Sequence, residues 1–457
     1  TKGPYKAALP ACPPDEAQPD LFALPGNHDW YDGLTAFLRL FVKNGTDSIG
    51  GWVNRQARSY FAIQLPHRWW IFAFDAQFGT YLDDPQMHYF LHAAKDLRPG
   101  DNIIVAPATP GWVEGANNPK AYDTIDYFVR TVLDPQQVNV RLMVSGDLHH
   151  YAHYHSAPEG LDGREGQEGR EATQERHLIT CGGGGAYLYP THHLPSRIQV
   201  PPPNSRVKRK TEPKAYTLER TFPTKPQSRA LASGVFTRLP WRNKGFVALL
   251  GTMHALFMLS VLSLIQRVSG YEQKLFSIPT AVTGLLIIGG TTFFAMPPTA
   301  GHARARHWIL GITHGLVHVG LSVGGAFLWN RTPFPHWVWP LPVLSAVGYG
   351  VIAGIVATEV VCLYLVIAGS LQVNLNELFA GQGIDDFKSF LRIRIDADGL
   401  TIWPIAVKRV NRGWAADPGA AETAPWIKPT RPIGYALAEP PIHLPSRVPE
   451  AAPAQLS

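Results

Sequence analysis

Four apolar segments in tandem constrain this chain more than any other feature. They run Gly245–Ile265, Ile278–Met296, Trp308–Trp329 and Leu341–Ala368. Each supplies the ~20 apolar residues that carry a helix through a bilayer, and the fourth is long enough to tilt or to extend beyond the hydrocarbon. Trp308, Trp329, Trp337 and Trp339 stand near segment ends, where interfacial aromatics gather. Basic residues sharpen the reading. Lys208, Arg209, Lys210, Arg238, Arg242 and Lys244 precede the first segment, whereas the loop between the third and fourth carries only Arg331. This asymmetry predicts an integral membrane protein of the plasma (inner) membrane with both soluble ends on the cytoplasmic side.

The chain divides around these segments. Residues 1–195 alternate short apolar runs with helical patterns: Trp69–Phe74, Ile103–Ala106, Val138–Val144 and His177–Cys181 read as strands, and Leu34–Val42 and Pro85–Leu97 as helices. Such alternation predicts a layered α/β domain. Glu159–Glu175 reads as an exposed loop and residues 196–240 as a basic, Pro-rich linker. Residues 241–370 hold the four spans. In residues 371–457, Phe390–Ile395 and Leu400–Ile405 flank Asp398-Gly399 as a β-hairpin, and a Pro- and Ala-rich end reads as disordered. Three cysteines without a paired spacing argue against a disulfide scaffold. The excess of 41 basic over 35 acidic residues is small and concentrated before the spans, which favours a lipid surface over nucleic acid.

Two polar clusters follow apolar runs in the α/β part. Gly26-Asn27-His28-Asp29 follows Leu21–Leu24, so it sits where a strand ends. An Asn carbonyl oxygen can ligate a divalent metal, and a neighbouring His can move a proton or stabilise phosphoryl charge. As a bare tetrapeptide the same residues also make a good turn and helix cap. Ser145-Gly146-Asp147-Leu148-His149-His150 follows Val138–Val144. Asp147 and His149, two apart, can face one ion, and carboxylate plus imidazole suits Mn, Fe or Zn. His153 and His155 come close behind and also read as surface histidines.

Together, Pro25–Leu34 (PGNHDWYDGL) and Ser145–Tyr151 (SGDLHHY) resemble the calcineurin-like metallophosphoesterases, and more narrowly a membrane-anchored branch of bacteria and plants. Gly50-Gly51-Trp52, Ser59-Tyr60-Phe61, Leu65-Pro66, Trp69-Trp70, Phe74-Asp75, Cys181–Gly185 and Pro190-Thr191-His192 extend the resemblance over about residues 4–195. It implies a β-sandwich flanked by helices, two divalent metal ions at the strand ends, and a metal-bridging hydroxide that hydrolyses a phosphate ester. By motif position it makes His28 the general acid and Asn27, Asp147 and His149 metal ligands. Departures temper this. The family's Asp-x-His and Gly-Asp motifs do not precede Gly26, so the chain reads as a fragment that hydrolyses little by itself. Ala108 stands where many relatives carry a His. A membrane sensor or receptor with a degenerate, non-catalytic domain is the alternative. His254, His314, His318 and Glu359 within the spans suggest a functional role there, or hydrogen bonding between helices.

Overall fold

A computed structural model describes residues 2–43, 45–76, 81–115, 118–156, 175–203, 205, 207, 210–266, 271–297 and 304–446 (271–276 as backbone only). The chain forms two units: residues 1–225 with 385–457, and residues 226–384.

An eight-stranded sheet organises the first unit. Its strands are β1 (Phe61–Leu65), β2 (Trp69–Phe74), β3 (Asn102–Pro107), β4 (Asn139–Ser145), β5 (Tyr151–His155), β6 (His177–Cys181), β7 (Arg197–Val200) and β8 (Lys214–Phe222). The spatial order is β7-β8-β5-β6-β4-β3-β2-β1. The four central strands β6, β4, β3 and β2 run parallel, and the outer strands pair antiparallel. The basic stretch expected to be a linker therefore supplies two sheet strands, β7 and β8. The reading failed there because a bulge between Leu218 and Arg220 breaks the strand alternation.

Side-chain alternation gives the sheet two apolar faces. Trp70, Phe72 and Phe74 of β2, with Ile103 and Val105 of β3, pack against helices α1 (Asp84–Ala93) and α2 (Asp123–Phe128). Phe90 and Phe128 meet edge-on at 5.1 Å, and Phe128 lies 4.7 Å from Phe74. The start of α1 follows from its sequence: Asp83 accepts from the Gln86 amide at 2.9 Å, and Pro85 fills the first turn.

The other face carries Trp69, Ile104, Leu142, Tyr151 and Ile179, and it is covered by the C-terminal segment. Strands β9 (Lys388–Ile395) and β10 (Gly399–Val407) form the expected hairpin. Short strands β11 (Ala436–Leu437) and β12 (Ile442–Pro445) add to β10. Leu400, Ile402 and Leu444 are wholly buried against the large sheet. Arg141 Nη1 donates to the Pro445 carbonyl at 3.1 Å and Asn102 Nδ2 to Ser446 at 3.2 Å, pinning the end of β12. The Pro-rich end read as disordered is thus ordered as far as Ser446. Pro429 and Pro445 sit at the ends of short peripheral strands, where a missing amide costs least. The remainder of that end, and most of the Glu159–Glu175 loop, lie outside the described residues.

The second unit holds the four expected apolar helices: α3 (Lys244–Gln266), α4 (Tyr271–Ala295, apolar from Ser277), α5 (Ala305–Asn330) and α6 (Leu341–Ser370). All four are long and apolar enough to cross a membrane. Glycines set their packing. A Cβ on Gly354 would lie 2.4 Å from the Val247 carbonyl, and one on Gly311 2.5 Å from the Thr292 Cα. The α3–α6 and α4–α5 backbones therefore touch through small residues, as helices do in lipid. The two stretches that flank the four helices share one sheet core.

Leu400→Ala is expected to cost about 2–5 kcal/mol through the cavity left between the sheets. Tryptophan fluorescence during denaturant unfolding in detergent measures it; a loss under ~0.5 kcal/mol would mean that the C-terminal sheet does not seal this face.

Candidate functional site

The parallel register fixes where reactive groups converge. Phe74 pairs with Pro107, and Val105 with Met143, so β2, β3 and β4 end at one edge. The next residues along that edge are Asp75, Ala108 and Gly146-Asp147. Strand β5 runs back from the same edge beside β6. His149 and His150 therefore precede it there, and Gly182 emerges there from β6.

The loop containing Asn27 and His28 reaches this edge from outside the large sheet. Only Asp20–Leu21 before it is a strand, in a small sheet with Trp52–Asn54 and Ser48–Ile49. Residues Asn27–Asp32 form a 3-10 turn. The Gly26 amide donates to Asp29 Oδ2 at 2.8 Å, and Gly33 closes the turn at φ 67°, a left-handed conformation that glycine adopts freely. Trp30 Nε1 donates to Asp75 Oδ1 at 3.1 Å and ties the turn to the end of β2. His28 is exposed on this turn, and its charge bears on both Asp147 and His149. Asn27 lies beside it with Oδ1 turned back onto the His28 amide at 2.9 Å.

At the strand ends, Asp147 and His149 offer a carboxylate and an imidazole, donor types suited to a divalent metal. Burial raises the Asp147 carboxyl above its ordinary range, and nearby His28 partly offsets this. Asp147 also holds a positive φ of 57°, a conformation uncommon outside glycine and kept where surroundings enforce it. His149 is kept neutral by burial; its ring bonds the Tyr187 backbone, while Nδ1 is buried without a hydrogen-bond partner. A neutral imidazole with one nitrogen oriented and the other bare is the form that binds metal. His150 is fully buried, and burial pushes it down to about 3, with a bond to the Tyr189 backbone opposing this.

Some groups at this edge were not singled out from the sequence. Ala108 brings no ligand, but Glu114 follows on the short helix Gly111–Glu114, and its carboxyl is raised by burial and then by Asp147. Lys388, at the start of β9, donates to the Ala186 carbonyl and contributes to keeping His149 neutral. The glycine run is a close-packing device. A Cβ on Gly182 would lie 2.3 Å from the Leu148 carbonyl, and one on Gly183 2.5 Å from Ser389 Oγ. The C-terminal hairpin thereby supports the loop beside His149.

In the membrane region, Ser322 Oγ meets His254 Nδ1 at 2.8 Å. His254 Nε2 meets His318 Nδ1 at 2.9 Å, and His318 Nε2 meets His314 Nε2 at 3.0 Å. Direct contacts join these rings, as expected of hydrogen bonding between helices, and the His314 ring stacks on Tyr364 at 4.1 Å. Glu359 faces a groove of about 840 Å³ that Lys244 and Trp241 also line.

Asp75 provides a pH test. Burial raises its pKa, the bonds from Ser59 and Trp30 oppose this, and Asp83 and Asp29 add to it. The folded state then binds the proton more tightly than the unfolded state. Stability from Asp75 is full below the ordinary carboxyl range and falls as pH rises through the raised value. In EDTA, Asp75→Asn is expected to gain stability over wild type as pH rises from about 4, levelling above the raised pKa. Melting temperatures across pH check this; a constant difference would contradict it.

Comparison with protein-family models, curated proteins and solved structures finds no match for this chain.

Proposed function

We propose that the protein is a membrane-tethered, metal-dependent phosphoesterase. The convergence of the Asn27–Trp30 turn with Asp147 and His149 carries this reading, held by the Trp30–Asp75 bond. The resemblance of both motifs to calcineurin-like phosphoesterases supports it. Asp147 and His149 would hold a divalent ion, with Asn27 lending a carbonyl oxygen as its side chain turns. Two bound divalent ions of Mn, Fe or Zn would supply Lewis acidity and lower the pKa of water.

The remaining chemistry falls to the chain. His28 donates a proton to the departing oxygen, from a turn fixed at both Gly26 and Trp30. Lys388 draws the anionic ester towards the edge. Burial of Asp147 limits water around the reacting group. The full-length gene product, assayed with Mn²⁺ against bis(nitrophenyl) phosphate and a monoester, is expected to turn over. His28→Ala should lower kcat by roughly 10²–10⁴. Equal turnover by the variant and wild type would remove the proposal.

A membrane sensor with a non-catalytic domain is the second reading. Two observations favour it: no His stands at Ala108, and Asn27 Oδ1 is already engaged. The same assay with metal analysis separates the two, since a sensor would neither turn over nor hold two ions.

The basic residues before α3 support a topology with both soluble ends on the cytoplasmic face of the plasma membrane. Reporters fused at each end should both read cytoplasmic; opposite readings would refute four crossings.

A further inference from the structure

The far end of β5 and β6 holds a second constellation. His153 and His155 are two apart on β5, so both face the side covered by the C-terminal segment. His177 opens β6 directly opposite His155. Glu175 stands two residues before it, and one ligand atom each from His155, Glu175 and His177 lies within 4.8 Å of the others. Glu175 Oε1 touches His155 Nε2 and lies 3.7 Å from His177 Nε2.

The hydrogen-bond chain behind His177 decides what this cluster is. Tyr151 donates to Glu439, whose carboxylate lies 3.0 and 3.1 Å from His153 Nδ1. A carboxylate only accepts, so His153 Nδ1 carries the proton. A neutral His153 then has a bare Nε2, which sits 2.9 Å from His177 Nδ1 and must accept from it. His177 Nε2 is left as a lone pair. It is buried, has no hydrogen-bond partner, and faces a carboxylate oxygen. A lone pair facing a carboxylate at that range is repulsive unless a cation lies between them.

We infer that His155, His177 and Glu175 bind one divalent metal ion, with Zn²⁺ the best match to two imidazoles and one carboxylate. Glu439 and His153 orient His177 as a carboxylate–histidine relay orients a metal ligand. The His177 side chain is only 6% exposed, while His155 and Glu175 are 21% and 38% exposed, so solvent reaches a fourth position. This site is separate from the Asp147–His149 edge. It lies at the other end of β5, four residue steps or roughly 13 Å away, and does not rest on the phosphoesterase reading. Loading it joins the end of β5 to the start of β6 and fixes the partner of Glu439.

The test uses the full-length protein in detergent, with a purification tag free of histidine, stripped by EDTA and reloaded with Zn²⁺ or Co²⁺. Wild type, and equally His28→Ala and Asp147→Asn, should show the visible spectrum of tetrahedral Co²⁺ and a Zn²⁺-dependent rise in melting temperature of roughly 5 °C. In the Asp147→Asn background, Glu175→Gln and His177→Ala should lose both. Glu175→Gln keeps the shape of a half-exposed side chain, and its metal-free melting temperature shows whether it folds. If Glu175→Gln keeps the Co²⁺ spectrum in that background, or folded wild type shows neither spectrum nor shift, the inference is overturned. A doubly protonated His153 would then bridge Glu439 and His177 in place of a metal.

Discussion

The packing of Leu400, Ile402 and Leu444 onto Trp69, Ile104, Leu142 and Ile179 is the contact on which the rest of the soluble unit depends. One face of the large sheet is closed by helices that follow its own strands. The other, among the described residues, is covered when the chain, having left this unit after Lys225, returns at Asp385. Burying such a face stabilises by about 25 cal/mol per Å² of apolar surface, and no local element supplies an alternative. The Arg141 and Asn102 bonds to the last residues of β12 are satisfied polar contacts at the margin of that core.

Both constellations on the large sheet draw on this same cover. At one edge, Ser389 and Lys388 brace the glycine run beside His149. At the other, Glu439 sets the proton pattern that leaves His177 Nε2 bare. The C-terminal segment thus acts less as an appendage than as the second wall of two sites. Register does the remainder: three parallel strands ending together put Asp75 and Asp147 on one edge, and antiparallel β5 carries His155 to the opposite one.

What the sequence disclosed follows the range of the signal. Apolar length reports directly on bilayer thickness, so the four helices were read to within a residue or two, except at the starts of α4 and α5, which lie seven and three residues earlier than expected. Strands β2 and β6 were read residue for residue because apolar runs between turn residues mark buried parallel strands. The hairpin was legible, but its docking partner was not, since nothing local in Leu400–Ile402 names Trp69. Strand β8 was missed because a bulge broke its alternation and prolines surrounded it. Asn27, His28, Asp147 and His149 were singled out as short contiguous clusters. Glu175 and His177 escaped because they meet His155 only through strand pairing across twenty residues or more. Lys388 escaped because it reaches the His149 edge only through the docking of β9.

The order of elements along the chain gives the C-terminal cover a consequence in time. Synthesis delivers the large sheet first, then four apolar helices, and only afterwards the hairpin that seals the open face. Until that hairpin is made, Trp69, Ile104 and Ile179 lack the side chains that cover them in the finished unit. The first unit is therefore completed only after all four apolar helices have been synthesised. For helices that cross a bilayer, a return to the starting side becomes a condition of folding, because a cover on the other side leaves this sheet face bare.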